Sequence, residues 1–352
     1  LFFRVWASSL HTATGKIMNS GSPIPFESFM AQALYDPRRG YYSRRITGVG
    51  RSGDFTTAPM LSEVPARAIA AWAARALRET SCRDLIEIGP GEGRLAASTL
   101  KHLPWKTRLK TRLHLVETSS PLAELQRKRL GSRATWHPDV LSALHACKGH
   151  AVIFSNELVD AYPVRRFQKT SAGWQEFAVH FDENCNAHES LLPLATLPES
   201  SAFSKNHALG QVVEVHESYH RELRGWLPSW RAGRMLTIDY GTTADSLYQR
   251  RPAGTIRAYL LQQRLEGAAI YHNPGRQDLT ADVNFTDLQS WSAPWVSTQQ
   301  LRSLREFIQE FSPATGSSIL ADPAGAGEAF LVLDQCVANH PNKTSHSSQS
   351  GS

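Results

Sequence analysis

The stretch Asp84–Arg94, DLIEIGPGEGR, decides the fold. Leu85, Ile86 and Ile88 form the short apolar run of a buried parallel strand. Gly89, Gly91 and Gly93 follow at once, and a helical pattern over Leu95–His102 comes after them. Glycines in such a turn let the backbone take positive φ and leave room for a ligand against the main chain. Their spacing is G-x-G-x-G, so the third glycine falls one residue earlier than in the G-x-G-x-x-G of dinucleotide-binding turns. A nicotinamide dehydrogenase is therefore the weakest reading of the motif. Glu87 places a carboxylate two residues before the first glycine.

The strands downstream repeat the arrangement of an acid at the carboxyl end. Leu113–Val116 ends in Glu117, where a nucleoside ribose would present two hydroxyls. Ala134–Trp136 leads to Asp139-Val140, a carboxylate for an adenine amino group and a backbone amide for the ring. Ala151–Ser155 ends in Asn156-Glu157. A single acid of this kind is as easily a solvated residue at a strand end. A series at successive strand ends points to one ligand, because open α/β sheets bind at those ends. The expected cofactor is S-adenosylmethionine (SAM), with Gly89, Gly91 and Gly93 leaving room for it against the main chain and Glu87 facing its methionine end, the ammonium being reached through a water or a loop amide. The expected fold is α/β, a Rossmann-like class I methyltransferase sheet.

Composition narrows the alternatives. The chain has 352 residues, enough for one large domain carrying insertions. At 41% hydrophobic and 20% charged it has an ordinary globular balance. No apolar run is long enough for a membrane helix. The net charge of +6 fits nucleic acid or an acidic protein surface, but Lys and Arg are scattered and no zinc pattern, repeat or aromatic–basic stripe supports nucleic-acid binding. Cys82, Cys147, Cys185 and Cys336 form no C-x-x-C pair, which argues for a reducing compartment and against a structural metal or a disulfide framework.

The expected organisation is an unstructured segment over 1–22, a helical extension over 23–82, a methyltransferase domain over 83–338 and a disordered tail over 339–352. Residues 1–22 hold Arg4, Lys16 and no acid, so a transit-peptide remnant is the alternative to an untidy cytoplasmic start. In the extension, Phe26–Leu34 and Glu63–Leu77 read as helices, the second with Ile69, Trp72, Ala73, Ala76 and Leu77 on one face. The loop between them carries Asp54 and Thr57, read as closing over the cofactor, with an Asx turn as the plain alternative. Two insertions are expected, at about 163–230 and 252–290. The first holds a β-hairpin, Arg166–Lys169 with Trp174–Phe181, then a strand Val212–Val215 and a helix Tyr219–Trp230. The second reads as an irregular cap, with Asp278-Leu279-Thr280 and the strand-end Asp239 lining an acceptor cleft. A helix with Leu301, Leu304, Phe307, Ile308 and Phe311 inward and a strand Ala329–Leu333 close the sheet. His114 and His137 read as half-buried histidines without a role.

IPFESFMAQALYDPRRGYYS (Ile24–Ser43), GDFTTAP (Gly53–Pro59), EIGPGEGRL (Glu87–Leu95), LVETS (Leu115–Ser119), NELVDAYPV (Asn156–Val164), IDYG (Ile238–Gly241), GTIRAY (Gly254–Tyr259) and PGRQDLTADVNF (Pro274–Phe285) occur in this order. In that order they resemble the MidA-like family of SAM-dependent methyltransferases, from Pro23 to about Val337. The family includes a mitochondrial complex I assembly factor described as a protein arginine methyltransferase. The resemblance implies SAM as cofactor and a protein acceptor methylated at arginine. A respiratory-complex subunit is the partner it brings to mind, and the location is the bacterial cytoplasm or, alternatively, the mitochondrial matrix. It implies no membrane span and leaves the oligomeric state open. Four places depart from the family pattern: Pro65-Ala66 replace Phe-Gly, Gln262 replaces His, and Asp282 and Asn284 replace His and Asp. These departures fall mainly on the substrate half. A SAM-binding assembly factor with little catalysis and a small-molecule methyltransferase are therefore the alternative readings.

An arginine acceptor needs carboxylates that pair with its fork and turn one nitrogen toward the methyl group. Glu157 and Asp160, three apart in NELVDA and expected on one helical face, have that character, with Asn156 holding the acceptor or closing over SAM. The plain alternative for Glu157 is a helix cap.

Overall fold

The computed structural model describes residues 22–45, 63–183, 186–193, 196–261, 263–313 and 326–337. Asp54, Thr57, Gln262, Cys185 and the tail from 339 lie outside the described residues.

Seven strands build the main sheet: β1 Asp84–Ile88, β2 Arg112–Val116, β3 Ala134–His137, β4 Ala151–Asn156, β5 Arg234–Thr242, β6 Val296–Ser303 and β7 Phe330–Val337. Their spatial order is β3-β2-β1-β4-β5-β7-β6, with the two-residue strand Val283–Asn284 added beside β5. The first five strands run parallel. β7 is antiparallel to both β5 and β6. The chain winds outward from β1 to β3 and then restarts on the other side of β1 with β4. The switch point therefore lies between β1 and β4, where ligands of open α/β sheets sit.

Both faces of the sheet are covered, as the apolar strands require. Leu85, Leu115, Phe154, Leu236 and Val332 face one layer, formed by α1 Val64–Glu79, α2 Arg94–His102 and the helix Leu304–Phe311. Ile86, Ile88, Ile153, Met235 and Leu333 face the other, with α3 Val140–Ala146, α4 Glu217–Trp226 and the helix Phe285–Ser292. The alternation follows from the two-residue period of a strand.

The N-terminal extension divides between two layers. α1 belongs to the main sheet, but the helix Phe26–Tyr35 packs on a second, five-stranded sheet. That sheet holds the expected hairpin, Arg165–Thr170 with Gly173–Phe181, together with Val212–Val215, Ala187–Pro193 and Ile24–Pro25. Phe26, Phe29 and Met30 form its core with Val164, Phe177 and Val179. The 252–290 region is more ordered than its polar composition predicts. Arg257–Leu260 pairs with Gln263–Leu265 and Asp278–Thr280, and Phe285–Ser292 is a helix. The expected helix from Leu301 begins at Leu304, because Val296–Ser303 pairs with β7 and Ser303 caps the helix through a reciprocal bond with Glu306.

Candidate functional site

The turn after β1 is built as its glycines require. Gly89, Gly91 and Gly93 take φ of 66°, 52° and 73°. A Cβ on Gly89 would meet Leu158 Cδ1 at 2.6 Å, whereas one on Gly91 would meet nothing within 4 Å. The main chain at Gly91 is thus open to a ligand, and Gly93 caps α2. Glu87 lies just behind, 2% exposed, and its Oε2 has no hydrogen-bond partner among the described residues. Burial pushes its carboxyl up to about 8. A buried carboxylate oxygen with no partner is costly unless a ligand completes it.

Glu117 closes the next wall. Its Oε1 accepts from the Ser119 amide at 2.7 Å and its Oε2 from Gln126 Nε2 at 3.0 Å. Burial raises its carboxyl to about 7, against these bonds. Gln126 also donates to the Gly91 carbonyl at 2.6 Å and accepts from Trp136 Nε1 at 2.9 Å. It ties the glycine turn to Glu117, a role the sequence reading missed. Its position on the amphipathic helix Ser120–Leu130 was the available signal.

Asp139 and Val140 stand at the start of α3. Asp139 Oδ1 accepts from the Ser142 amide at 2.7 Å, so one of its oxygens caps the helix. Burial works against ionisation there, but the bonds from Ser142 outweigh it and hold the carboxyl below its ordinary value.

The turn after β4 corrects an expectation. Residues 157–162 form no helix, so Glu157 and Asp160 share no helical face and Glu157 caps nothing. Glu157 instead takes φ of 50°, a left-handed conformation unusual for a residue with a Cβ. Its amide donates to Ile238 O at 2.9 Å, and its Oε1 accepts from Asn156 Nδ2 at 3.1 Å. The turn is pinned by Asp239 on the adjacent β5. Its Oδ2 accepts from the amides of Leu158 at 3.1 Å and Val159 at 2.8 Å, fixing the chain as it leaves β4. Its Oδ1 accepts from Tyr240 N at 2.9 Å. Asp239 is 0% exposed, so its side chain holds this turn and reaches no open surface. Burial, and then Asp160, push its carboxyl well up.

Asp160 is buried, and burial raises it to about 6 despite the facing Arg257 guanidinium, with Asp282 adding to the rise. Arg257 bonds Asp282 at 2.5 Å, and its guanidinium lies 5.6 Å from the Tyr240 ring and 6.0 Å from the Tyr259 ring. Asp278 accepts from the Tyr42 hydroxyl at 2.8 Å. Tyr42 stacks on Tyr35 at 5.5 Å, and its carbonyl accepts from Ser119 Oγ at 2.8 Å. The Tyr35 hydroxyl is pushed well up by burial, then by Asp278, Asp160 and Glu117. The N-terminal segment thereby joins the cofactor side to the cap. Two departures from the family pattern have structural tasks: Asp282 holds Arg257, and Asn284 caps the helix Phe285–Ser292 through Thr286 N at 3.1 Å.

His114 and His137 are better placed than expected. His114 bridges Asp84, at 2.9 Å, and His137, at 2.9 Å. Arg112 bonds both Asp84 oxygens, at 2.7 and 2.5 Å. Ligating atoms of Asp84, His114 and Cys147 lie within 4.8 Å of one another. The carboxylate and imidazole already satisfy each other, and burial pushes the Cys147 thiol up to about 12. Asp84 and Arg112 open their strands, away from the glycine turn.

Residues 68–300 match a protein family described as "Putative S-adenosyl-L-methionine-dependent methyltransferase". The chain belongs to this family. Its cofactor is SAM, and the partnerless Glu87 oxygen, the open Gly91 backbone and the Glu117 wall fit that group. Among relatives, the mouse mitochondrial protein arginine methyltransferase NDUFAF7 is 28% identical over 353 residues, covering 90% of this chain and 77% of its own length. The Drosophila melanogaster NDUFAF7 homolog is 28% identical over 313 residues, and the match spans 66% of that protein. A crystal structure from Burkholderia thailandensis, described as that of a "likely methyl transferase" bound to S-adenosyl-homocysteine, superposes with a TM-score of 0.79 at 27% identity. That match covers 95% of this chain and 92% of that one. Among the described residues, no helix of this methyltransferase is long and apolar enough to cross a membrane.

Proposed function

We propose that this methyltransferase acts on an arginine side chain of a protein, gripped by Glu157 and Asp160 in the turn after β4. The observation that carries the reading is the gathering of carboxylates at the switch point. Glu117, Asp160 and Asp278 all raise the Tyr35 hydroxyl, and Arg257, the cation facing Asp160, is held by Asp282. Arg257 also illustrates the chemistry, a guanidinium seated between a carboxylate and two tyrosine rings. The names of the relatives support a protein acceptor. The family resemblance supports a respiratory-complex subunit as that acceptor, in the mitochondrial matrix or the bacterial cytoplasm.

When bound, SAM supplies a methyl group already activated on a sulfonium. The protein's task is alignment and exclusion of water. In this reading Glu87 holds the ammonium, Gly89, Gly91 and Gly93 admit the cofactor against the main chain, and Glu117 takes the ribose hydroxyls. Asp139 and the Val140 amide meet the adenine. Asn156 orients Glu157 through their hydrogen bond. As the methyl carbon leaves the sulfonium, giving S-adenosyl-homocysteine, the acceptor nitrogen would gain the methyl group and lose a proton to Glu157 or Asp160.

The test is labelling with radioactive SAM in an extract lacking the endogenous enzyme, followed by amino-acid analysis of the labelled polypeptides. Label should appear in methylarginine. Glu157→Gln should keep its affinity for S-adenosyl-homocysteine and lose methyl transfer about a hundredfold, as when a transition-state charge partner is removed. A parallel loss of cofactor affinity would move Glu157 into the cofactor pocket. Binding of SAM without methylation of any polypeptide would favour the assembly-factor reading.

A further inference from the structure

The excess of positive charge is less scattered than the composition implies. From Arg94 to Val116 the sequence holds six Lys or Arg residues and no Asp or Glu. The middle of this interval is the short helix Trp105–Lys110, WKTRLK, which buries none of its residues. Trp105 and Leu109 are 63% and 77% exposed. They stand one helical turn apart and therefore on the same face. Lys106 lies over the Trp105 ring, 5.5 Å from its centre, and Arg108 reaches back to the Lys101 carbonyl at 3.2 Å. Lys101 is balanced by Glu63, whereas Lys106, Arg108 and Lys110 make no ion pair with the described residues.

An apolar pair this exposed is unfavourable for a protein that meets only water. We propose that this corner of the molecule docks on an anionic lipid bilayer, with Trp105 and Leu109 entering the interface and Lys106, Arg108 and Lys110 facing lipid phosphates. Charge complementarity selects a negative partner and disfavours a second copy, which would bring the same cations face to face. Two side chains on a six-residue helix are too little for a specific protein interface, which buries on the order of 1,200 Å² or more. A bilayer asks only for apolar tips, an aromatic ring at headgroup level and cations beside them. The helix Trp105–Lys110 follows α2 directly, and α2 begins at Gly93 in the cofactor turn. Docking would therefore hold the methyltransferase at a membrane without using its site.

The full chain should co-sediment with vesicles of phosphatidylcholine mixed with phosphatidylglycerol and not with phosphatidylcholine alone. Raised salt should release it. Lys106→Gln with Lys110→Gln should weaken binding about thirtyfold, from about 1 kcal/mol per cation at an anionic surface. Trp105→Ala with Leu109→Ala should weaken it about tenfold or more. Both double variants should keep the wild-type thermal midpoint and affinity for S-adenosyl-homocysteine, since none of these residues touches the core or the site. Equal binding to both vesicle types would overturn the proposal, as would binding that neither double variant reduces. Tighter binding to a nucleic-acid duplex than to anionic vesicles would also overturn it, assigning the patch to nucleic acid.

Discussion

Replacing Glu87 with glutamine should leave the free protein almost unchanged near neutral pH, yet weaken cofactor binding by an amount that grows with pH. Glu87 is buried, its Oε2 has no described partner, and burial raises its carboxyl to about 8. At about pH 7 the group is mostly protonated, and a glutamine amide closely matches a protonated carboxyl in shape. A charge-assisted bond to the cofactor ammonium is worth about 1.5–3 kcal/mol. Near pH 7 the wild type must first ionise Glu87, which costs about 1.4 kcal/mol for a pKa one unit higher. The net loss in Glu87→Gln is then about 0–1.6 kcal/mol, at most roughly fifteenfold in affinity. At about pH 8.5 most of the ionisation cost is gone, and the loss should rise to roughly 10- to 150-fold. Calorimetry with S-adenosyl-homocysteine at the two pH values measures the ratio. In buffers of different ionisation heat, the wild type should release a proton on binding near pH 7. The free protein should follow the same sign. The folded chain holds this proton more tightly than the unfolded one, so the contribution is complete below the ordinary glutamate range and is lost as pH rises through about 8. Equal affinity ratios at both pH values, or proton uptake on binding, would refute the assignment of Glu87 to the ammonium.

Glu117→Ala should weaken S-adenosyl-homocysteine binding about tenfold or more by calorimetry, because a charged hydrogen bond to the ribose is lost. Asp239→Ala leaves the amides of Leu158, Val159 and Tyr240 without their acceptor. Chemical denaturation should show a loss of about 3 kcal/mol or more, and methyl transfer should fall even where the protein stays folded. Asn284→Ala should cost about 1 kcal/mol or somewhat more, since it removes a helix cap and the bonds to Ser201 and Tyr248. Cofactor affinity in that variant should stay at the wild-type level.

Much of the main sheet was legible because its strands are short apolar runs, each ended by a turn. Leu85–Ile88, Leu113–Val116 and Ala151–Ser155 lie within the strands observed, shifted by a residue at most. The glycine turn, Glu87 within the end of β1 and Glu117 just after β2 fall at the expected positions for the same reason. The turn after β4 was misread because its shape is set from a distance. The spacing of Glu157 and Asp160 in NELVDA reads as helical, but the turn is pinned by Asp239, some eighty positions away, through three successive amides. β6 was taken for the start of a helix because Leu301 continues the spacing of Leu304 and Ile308, while its pairing with β7 is invisible locally. Gln126 escaped notice because its place between Leu122 and Leu130 on the buried stripe marks it as buried, and says nothing of its bonds to a loop carbonyl and a glutamate. The cationic helix was hidden by averaging charge over the whole chain.

The Tyr42–Asp278 bond joins positions 236 residues apart. Tyr42 leaves the ribosome early, and its carboxylate partner emerges only after the glycine turn, the second sheet and β5. The wall linking Glu117 to the cap therefore cannot close until Asp278 has been made. A nascent chain arrested before that point would carry the complete glycine turn and still present it open on one side. Firm retention of the methyl donor would then mark a finished molecule.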